Sequence, residues 1–394
     1  MKTDTKIDTK IVQAGRHPED YHGAVNPPVY HVSTVTYPTV SALKAGEKTR
    51  YDKMRYGRFG TPTSFAFEEA VCALEGGYRS ASTSSGLAAI TGTLTALLQA
   101  GDHVLMVDTA YHPTRHFCDH QLTRWGISTT YYDPAAGASI AQLIRPETKV
   151  VFVESPGSLT FEVQDIPAIA AATHAAGALV VMDNTWATPL YFDALNKGVD
   201  VSIHSATKFI VGHSDAMLGV ITTAREDLWR AIKDSVAMAG VCAGAEEVYL
   251  GLRGLRTLGV RLRQHQENGL ALASWLRDRP EVARVMHPAL PGDPHHALWK
   301  RDFTGACGLF GFELHPCPPG SVEALIDGLE HFGLGYSWGG YESLILPTTG
   351  NVHRTAVPWQ AKGPTLRIHT GLEDVTDLTA DLEAGFARMA ALAR

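Results

Sequence analysis

The sequence predicts an α/β fold with a mostly parallel sheet, joined to a smaller C-terminal α+β domain. Four near-continuous apolar runs end in polar residues and indicate strands at 103–108, 149–155, 178–183 and 199–204. Helical segments separate these runs, which is typical of a parallel sheet covered on both faces. The length of 394 residues exceeds the size at which a single core usually stops growing. We therefore expect at least two domains.

The chain divides into three predicted regions. Residues 1–60 are polar, rich in Pro, Tyr and Thr and without a sustained period, so we predict an arm rather than a domain. Residues 61–244 alternate between helix and strand patterns and form the predicted large domain, and residues 245–394 form the C-terminal domain. The other predicted elements are helices at 64–74, 86–99, 166–176, 245–277 and 321–330 and short strands near 307–314 and 365–369.

Composition and charge exclude several classes of function. The net charge of −7, without any basic run, argues against binding to nucleic acid or acidic lipid. Residues 1–10 alternate in charge and lack the apolar core of a secretory signal, and no apolar run is long enough to span a bilayer. The five cysteines are widely spaced without a Cys-x-x-Cys pair, which is typical of reduced thiols in a cytoplasmic protein.

Two strand ends carry the chemistry of a pyridoxal phosphate (PLP) site. Lys208 follows the apolar run that ends near His204, and Asp183 ends the preceding run, 25 residues upstream. Ligands of open parallel sheets bind beyond the carboxyl ends of the strands, so these two side chains are expected to meet. PLP requires an amine for its aldehyde and an anion for its ring nitrogen. A surface lysine and a helix-capping aspartate are the ordinary alternatives.

The cofactor phosphate and ring also have candidate partners. The backbone amides of Gly86 and Leu87 open a predicted helix, where aligned N–H groups favour an anion. The hydroxyls of Ser205 and Thr207 are further candidate donors to the same phosphate. Tyr111 follows the strand at 103–108, where its ring is placed to stack on the cofactor. A plain helix start and a packing tyrosine remain the alternatives from these residues alone.

Several motifs resemble the Cys/Met-metabolism PLP enzymes from about residue 10 to the C-terminus. They are Tyr56-Gly-Arg-Phe-Gly-Thr-Pro-Thr63, Ser85-Gly-Leu-Ala-Ala89, Glu154-Ser-Pro-Gly157, Asp183-Asn-Thr-Trp186 and Ser205-Ala-Thr-Lys208. Three further stretches are most similar to the bacterial cystathionine β-lyase branch of that family, and Trp338 in the third is the most discriminating residue. They are Gly254-Leu-Arg-Thr-Leu-Gly-Val-Arg-Leu-Arg-Gln-His265, Arg301-Asp-Phe-Thr-Gly305 and Tyr336-Ser-Trp-Gly-Gly-Tyr-Glu-Ser-Leu344.

The resemblance implies a fold type I, PLP-dependent transferase-like architecture and a homotetramer built as a dimer of dimers. It implies that Tyr56 and Arg58 reach the PLP phosphate of a neighbouring subunit, which fits the predicted arm. It also implies that Arg367 clamps the substrate α-carboxylate, a task that its planar fork suits. Ser337 would help to position that carboxylate and the lysine amine.

One position departs from the pattern of the β-lyase branch. Close relatives in that branch commonly carry a second arginine after the one corresponding to Arg58, and here the position is Phe59. In the family, that arginine helps to hold the far end of a long substrate with two amino-acid groups. An apolar ring at Phe59 leaves room for shorter or more apolar S-substituted cysteines.

The activity predicted from these features is β-elimination of L-cystathionine, with Lys208 as general base and Lys208 or Tyr111 as proton donor to the leaving sulfur. A γ-lyase or γ-synthase of the same family is the nearest alternative, and a non-catalytic scaffold is another. His112, His116 and His120 recur every four residues and suggest a metal site on one helix face. Pro113 at the start of that helix favours a solvated face instead, so we predict no metal.

Overall fold

The computed structural model describes residues 5–392. Its helices are α1 Ile7–Gln13, α2 Val40–Gly46, α3 Pro62–Glu75, α4 Gly86–Leu97, α5 His112–His116, α6 Ile166–Ala175, α7 Thr188–Tyr191, α8 Glu226–Met238, α9 Ala245–Leu255, α10 Leu258–Arg277, α11 His296–Asp302, α12 Ser321–Ile326 and α13 Val375–Leu392. Its strands are β1 Arg79–Thr83, β2 His103–Val107, β3 Ser128–Tyr132, β4 Thr148–Glu154, β5 Leu179–Asp183, β6 Val201–His204, β7 Gly219–Thr223, β8 Val282–Met286, β9 Leu309–Leu314, β10 Phe332–Leu334, β11 Ser343–Pro347 and β12 Thr365–His369.

A seven-stranded sheet in the order β1-β7-β6-β5-β4-β2-β3 organises the first half of the chain. The five strands from β6 to β3 run parallel, and β7 runs antiparallel to both of its neighbours. The predicted mostly parallel α/β sheet is therefore confirmed, and all four predicted strands belong to it. The sequence pattern does not predict the other three strands of this sheet. Strands β1 and β3 are rich in Ser, Thr and Tyr, and β7 is a short run that begins with glycine.

The central strands are buried because they carry almost only apolar side chains. Every residue of β2 is buried, as are the β4 residues Val150 to Val153. Such burial on both faces needs the covering helices that separate the strands in sequence. Register then aligns the strand ends, since Glu154 of β4 pairs with Asp183 of β5. The polar residues that end these strands consequently meet at one edge of the sheet.

A second sheet, in the order β10-β11-β12-β9-β8, builds the C-terminal part. It is mostly antiparallel, with β12 between β11 and β9. A separate hydrophobic cluster packs it against α10 and α13 and includes Leu272, Phe310, Ile368 and Phe386. This sheet places Arg367 on β12, next to the loop that precedes β11.

The predicted division at residue 245 stays a prediction. The hydrophobic core of the large sheet includes Val248, Leu252 and Leu262, and the second cluster begins with Leu272. The helix predicted at 245–277 is two helices, α9 and α10. Residues 1–4 of the predicted arm and 393–394 of the C-terminal domain lie outside the described residues. Among residues 5–392, no helix is long and apolar enough to cross a membrane.

Candidate active site

Lys208 lies just beyond the carboxyl end of β6, in a partly buried position. Its Nζ donates a hydrogen bond of 2.5 Å to the hydroxyl oxygen of Ser337. Burial and, to a smaller extent, the charge of Arg367 lower the pKa of the Lys208 amine to about 8, against the opposing effect of Asp183. Such an amine is neutral in a useful fraction of molecules near neutral pH, as a nucleophile or base must be.

Asp183 ends β5, the strand beside β6. One of its carboxylate oxygens accepts hydrogen bonds from the Thr185 amide at 3.0 Å and from the Thr185 hydroxyl at 2.5 Å. Burial raises the pKa of Asp183, while these two bonds and the charges of His204 and Lys208 act to lower it. A positively charged ring nitrogen beside this carboxylate would favour its ionised form.

A narrow cradle lies between α4 and the segment that leads to Lys208. The Ser205 amide donates to the Thr185 hydroxyl oxygen at 2.8 Å, which connects this segment to Asp183. A Cβ atom on Gly86 would lie 2.5 Å from the Cβ of Ser205, so only glycine lets the start of α4 approach this closely. The amides of Gly86 and Leu87 thus open a twelve-residue helix beside the Ser205 hydroxyl, an arrangement that suits a phosphate.

The Thr207 hydroxyl is engaged elsewhere. It donates to the carbonyl oxygen of Leu218 at 3.1 Å and accepts from the amide of the same residue at 2.9 Å. These two hydrogen bonds connect the segment after β6 to the residue that precedes β7. The predicted phosphate role of Thr207 stays a prediction, and it would require the hydroxyl proton to change its acceptor.

Tyr111 lies between β2 and α5 with its side chain 46% exposed. Its backbone amide donates to the carboxyl of Glu154 at 2.7 Å. Partial burial raises the pKa of the Tyr111 hydroxyl, and the nearby carboxyl groups of Glu154 and Asp183 raise it further, against a lowering effect of Arg367. The phenol is consequently protonated at neutral pH, and its ring remains open to the cleft.

Ser337 connects the lysine to the predicted carboxylate clamp. Its hydroxyl accepts from Lys208, and its carbonyl oxygen accepts from Nη2 of Arg367 at 2.9 Å. Its φ of 78° is in the left-handed region that few non-glycine residues adopt, which is a frequent feature of functional sites. Burial lowers the pKa of Arg367 to about 10, so the guanidinium keeps its charge at neutral pH.

The loop that carries Ser337 is packed tightly on Lys208. Gly339 has a φ of 89°, and a Cβ there would lie 3.0 Å from the Cα of Lys208. The Gly339 amide also donates to Nε2 of His369 at 3.1 Å. The Trp338 ring packs on Phe209 with centroids 5.4 Å apart, and Nζ of Lys208 lies 5.4 Å from the centroid of the same indole. Trp338 therefore forms one wall around the amine.

We call this assembly the Lys208 pocket and define it by Lys208, Asp183, Tyr111, Ser337, Trp338 and Arg367. It presents an amine of lowered pKa, a strand-end carboxylate and a half-exposed aromatic ring. The cradle between Gly86 and Ser205 adds a place for a phosphate, and Ser205 belongs to the segment that leads to Lys208. These residues fit PLP, because each group that the cofactor needs follows or ends a strand of the same sheet, namely β1, β2, β5 or β6.

The predicted arm residues lie in a different environment, which we call the arm cluster and define by Tyr51, Tyr56, Arg58 and Phe59. The Phe59 ring packs edge-on against Tyr51 and Tyr56, at centroid distances of 5.9 and 6.3 Å. Nη1 of Arg58 donates to the carbonyl oxygen of Ala237 at 2.6 Å, and its guanidinium lies 4.6 Å from the Phe59 ring centroid. Phe59 is thus a packing residue of the arm in this chain.

The arm cluster borders a cavity of about 450 Å³. Arm residues 30–33 and 56–61 line one side of this cavity, and α8 with residues 241–245 lines the other. Within residues 5–392, no hydrogen bond, ion pair or ring contact joins Tyr56, Arg58 or Phe59 to the Lys208 pocket. A single chain therefore brings together most of the predicted site residues but leaves these three apart.

The histidine row forms no metal centre in the part of the chain that is described. His112, His116 and His120 are neighbours, and His353 joins them with its ring centroid 4.9 Å from that of His112. No group of three or more metal-ligating side chains among residues 5–392 is arranged to hold an ion. Partial burial lowers the pKa of His112, and the proximity of His353, His116 and Arg115 lowers it further.

Some residues of the site could not be identified from sequence patterns. Thr185 ties Asp183 to Ser205, and its signal was the Asp-x-Thr spacing after a strand. Glu154 lies beside Asp183 and accepts a hydrogen bond from the Tyr111 amide, and its only signal in the sequence is the Glu-Ser-Pro-Gly motif that resembles the family. Phe209 follows the catalytic lysine candidate directly and supports Trp338.

Comparison with known proteins agrees with this geometry. The family model described as "Cys/Met metabolism PLP-dependent enzyme" matches residues 8–387. A cystathionine β-lyase of Salmonella typhimurium is 46% identical over 98% of this chain and 100% of its own length. A cystathionine β-lyase of Escherichia coli K12 is also 46% identical, over 98% of this chain and 99% of its own length.

Solved structures give the same result. The crystal structure of a cystathionine γ-synthase from Xanthomonas oryzae pv. oryzae, in complex with aminoacrylate and cysteine, matches with a TM-score of 0.91 and 32% identity. The match covers 99% of this chain and 100% of that chain. The predicted family, fold class and cofactor are therefore confirmed. The chain belongs to the Cys/Met-metabolism family of PLP-dependent enzymes.

Proposed function

We propose that the protein is a PLP-dependent carbon–sulfur β-lyase that converts L-cystathionine and water to homocysteine, pyruvate and ammonia. This reaction would serve methionine synthesis. The identities support β- rather than γ-elimination, because the β-lyases of two enterobacteria are 46% identical to the chain and a γ-lyase of Dictyostelium discoideum is 33% identical.

The observation that carries the proposal is the connection from Lys208 through Ser337 to Arg367. Arg367 offers a buried planar fork for the substrate α-carboxylate. Arg367 donates to the Ser337 carbonyl oxygen, and Lys208 donates to the Ser337 hydroxyl. These bonds hold the guanidinium and the amine on either side of Ser337. An amino acid held at Arg367 would therefore bind close to Nζ of Lys208.

Proton movement follows from the state of two side chains. PLP, when bound, supplies an electron-withdrawing ring that stabilises negative charge at the substrate Cα. Lys208, with its pKa lowered to about 8, accepts the Cα proton as a neutral amine. The C–S bond then breaks, and Lys208 or the protonated phenol of Tyr111 gives a proton to the departing sulfur.

The remaining residues hold the cofactor. Asp183 carries the anion for the ring nitrogen, and the Tyr111 ring offers a stacking surface. The phosphate would bind the amides of Gly86 and Leu87 and the hydroxyl of Ser205. These assignments place the two ends of PLP on residues that the sheet already holds close together.

We further propose that Tyr56 and Arg58 complete the site of a neighbouring subunit in a homotetramer. The family resemblance supports this arrangement, as does the separation of the arm cluster from the Lys208 pocket within one chain. Five free cysteines support a cytoplasmic location. The expected partner is a small amino-acid substrate rather than nucleic acid or membrane.

The test is the identity of the products that purified holoenzyme forms from L-cystathionine. Pyruvate with homocysteine is the expected result. 2-Oxobutyrate with cysteine would replace the proposal by γ-elimination. Release of pyruvate from S-alkyl cysteines alone would keep the chemistry and show that Phe59 has redirected the substrate.

A further inference from the structure

Glu154 is a carboxyl group of the site that the proposed reaction does not use. It ends β4, and its register partner on the neighbouring parallel strand is Asp183. Side chains of directly paired residues on adjacent parallel strands point to the same face of the sheet. The two acids therefore share one partly buried position at the sheet edge, where two negative charges would repel each other strongly.

The hydrogen bonds of the two acids differ. Asp183 accepts from the amide and the hydroxyl of Thr185, and His204 and Lys208 lie close enough to lower its pKa. The Glu154 side chain accepts from the Tyr111 amide at 2.7 Å. Burial raises the pKa of Glu154 well above its usual range, and the charge of Asp183 raises it further, against the single amide bond.

The surroundings of the two acids therefore favour Asp183 as the ionised carboxylate and Glu154 as the protonated carboxyl group. Asp183 has two hydrogen-bond donors and lies near two basic side chains, Lys208 and His204, while Glu154 faces Asp183, the Tyr111 amide and the Tyr111 phenol, and no basic side chain that lowers its pKa. When two carboxyl groups occupy one site, the proton stays on the acid with fewer donors.

We propose that Glu154 is a positioning residue that stays protonated in the working enzyme, holds Tyr111 through its backbone amide, and leaves Asp183 as the only carboxylate charge at the cofactor ring. Glu154 connects β4 to the residue whose ring faces the cleft, so loss of its side chain displaces Tyr111. This inference rests on the proposed cofactor site and not on the substrate.

The experiment compares three variants as PLP-loaded enzymes, by the visible absorbance of the bound cofactor between pH 5 and pH 10 and by the affinity of the apoenzymes for PLP. Glu154→Gln keeps a neutral acceptor for the Tyr111 amide. Glu154→Ala removes the acceptor. Glu162→Gln is the matched control, because Glu162 follows the same strand but binds Arg354 instead. No substrate is needed, so a wrong substrate assignment would not affect the result.

We expect the absorbance midpoint of Glu154→Gln to remain within about 0.3 pH units of the wild type, and its PLP affinity within about threefold. Glu154→Ala should bind PLP about tenfold more weakly, because the Tyr111 amide loses its partner.

A midpoint that falls by about one unit or more in Glu154→Gln would mean that Glu154 is ionised, since removal of a nearby negative charge destabilises the protonated cofactor–lysine linkage. A Glu154→Ala variant that matches Glu162→Gln in both measurements would also overturn the proposal. If Glu154→Ala does not fold, the Glu154→Gln titration alone still decides the charge.

Discussion

The Lys208 pocket and the arm cluster were both predicted as parts of one site, yet a single chain builds them in different ways. In the Lys208 pocket, residues from the segment after β6, from β12 and from the loop before β11 are hydrogen-bonded to one another: Lys208 donates to the Ser337 hydroxyl, and Arg367 donates to the Ser337 carbonyl oxygen. In the arm cluster, Arg58 bonds to the Ala237 carbonyl and Phe59 packs on aromatic rings. The hydrogen bonds of the first region are all made within one chain, and the second is expected to gain its role only beside another copy.

The largest expected effect comes from Lys208. Replacement of Lys208 by Ala should lower kcat by about 10³-fold or more, because both the amine that binds the cofactor and the base are lost. Steady-state pyruvate release measures this effect. Lys149→Ala, at an exposed position on β4, is the control and should retain wild-type turnover. A Lys208→Ala enzyme that keeps substantial activity would show that Lys208 is not the catalytic amine, and the Lys208 pocket would lose its assigned role.

Arg367→Lys should lower kcat/KM by about 100-fold, mostly through KM. A lysine keeps the charge but loses the planar fork that binds a carboxylate through two hydrogen bonds. The bound-PLP absorbance should stay unchanged, since Arg367 is assigned to the substrate and not to the cofactor. If the variant loses PLP while KM stays constant, Arg367 binds the cofactor and not the substrate carboxylate.

The lowered pKa of Lys208 predicts a pH dependence for PLP uptake by the apoenzyme. Only the neutral amine attacks the PLP aldehyde, and an amine with a pKa of about 8 becomes neutral as the pH rises through that value. The uptake rate should therefore rise about tenfold from pH 7 to pH 9 and then level off. A rate that still climbs steeply between pH 9 and pH 10 would indicate an unshifted amine, near 10.5.

A smaller effect is expected in the arm cluster from Phe59→Arg. The new guanidinium would offer an ion pair to the distal carboxylate of L-cystathionine, so kcat/KM for this substrate should rise a few-fold relative to S-methylcysteine. The ratio of the two specificity constants is the quantity to measure. An unchanged ratio would show that position 59 does not reach the substrate. Phe59→Leu, which adds no charge, is the control.

The sequence predicted those parts of the site that depend on strand ends and local motifs. Lys208 and Asp183 could be placed because apolar runs mark the strands and the carboxyl ends of parallel strands lie at one edge. Arg367, Ser337 and Trp338 required the family resemblance, because they come from a different sheet and no periodicity connects them to β6.

Other features depend on tertiary packing and were not predictable. The positive φ of Ser337 occurs in a loop that packs closely on Lys208 at Gly339, and a serine carries no sequence signal for such a φ. The engagement of Thr207 with Leu218 depends on how β7 returns antiparallel beside β6. The proximity of Glu154 to Asp183 follows from strand order, which the sequence pattern leaves open.

The most direct test of the two-region account is complementation between inactive variants. Lys208→Ala and Arg58→Ala chains, carrying different tags, are co-expressed and the mixed assemblies are purified by both tags. If the arm acts across subunits, a mixed dimer contains one intact site of two, and tetramers that carry both tags and assemble at random should have roughly 30% of wild-type activity. Activity no higher than that of the two variants alone would place Arg58 in the site of its own chain, and an Arg58→Ala enzyme that is fully active alone would exclude it from the site. Either outcome would contradict the account.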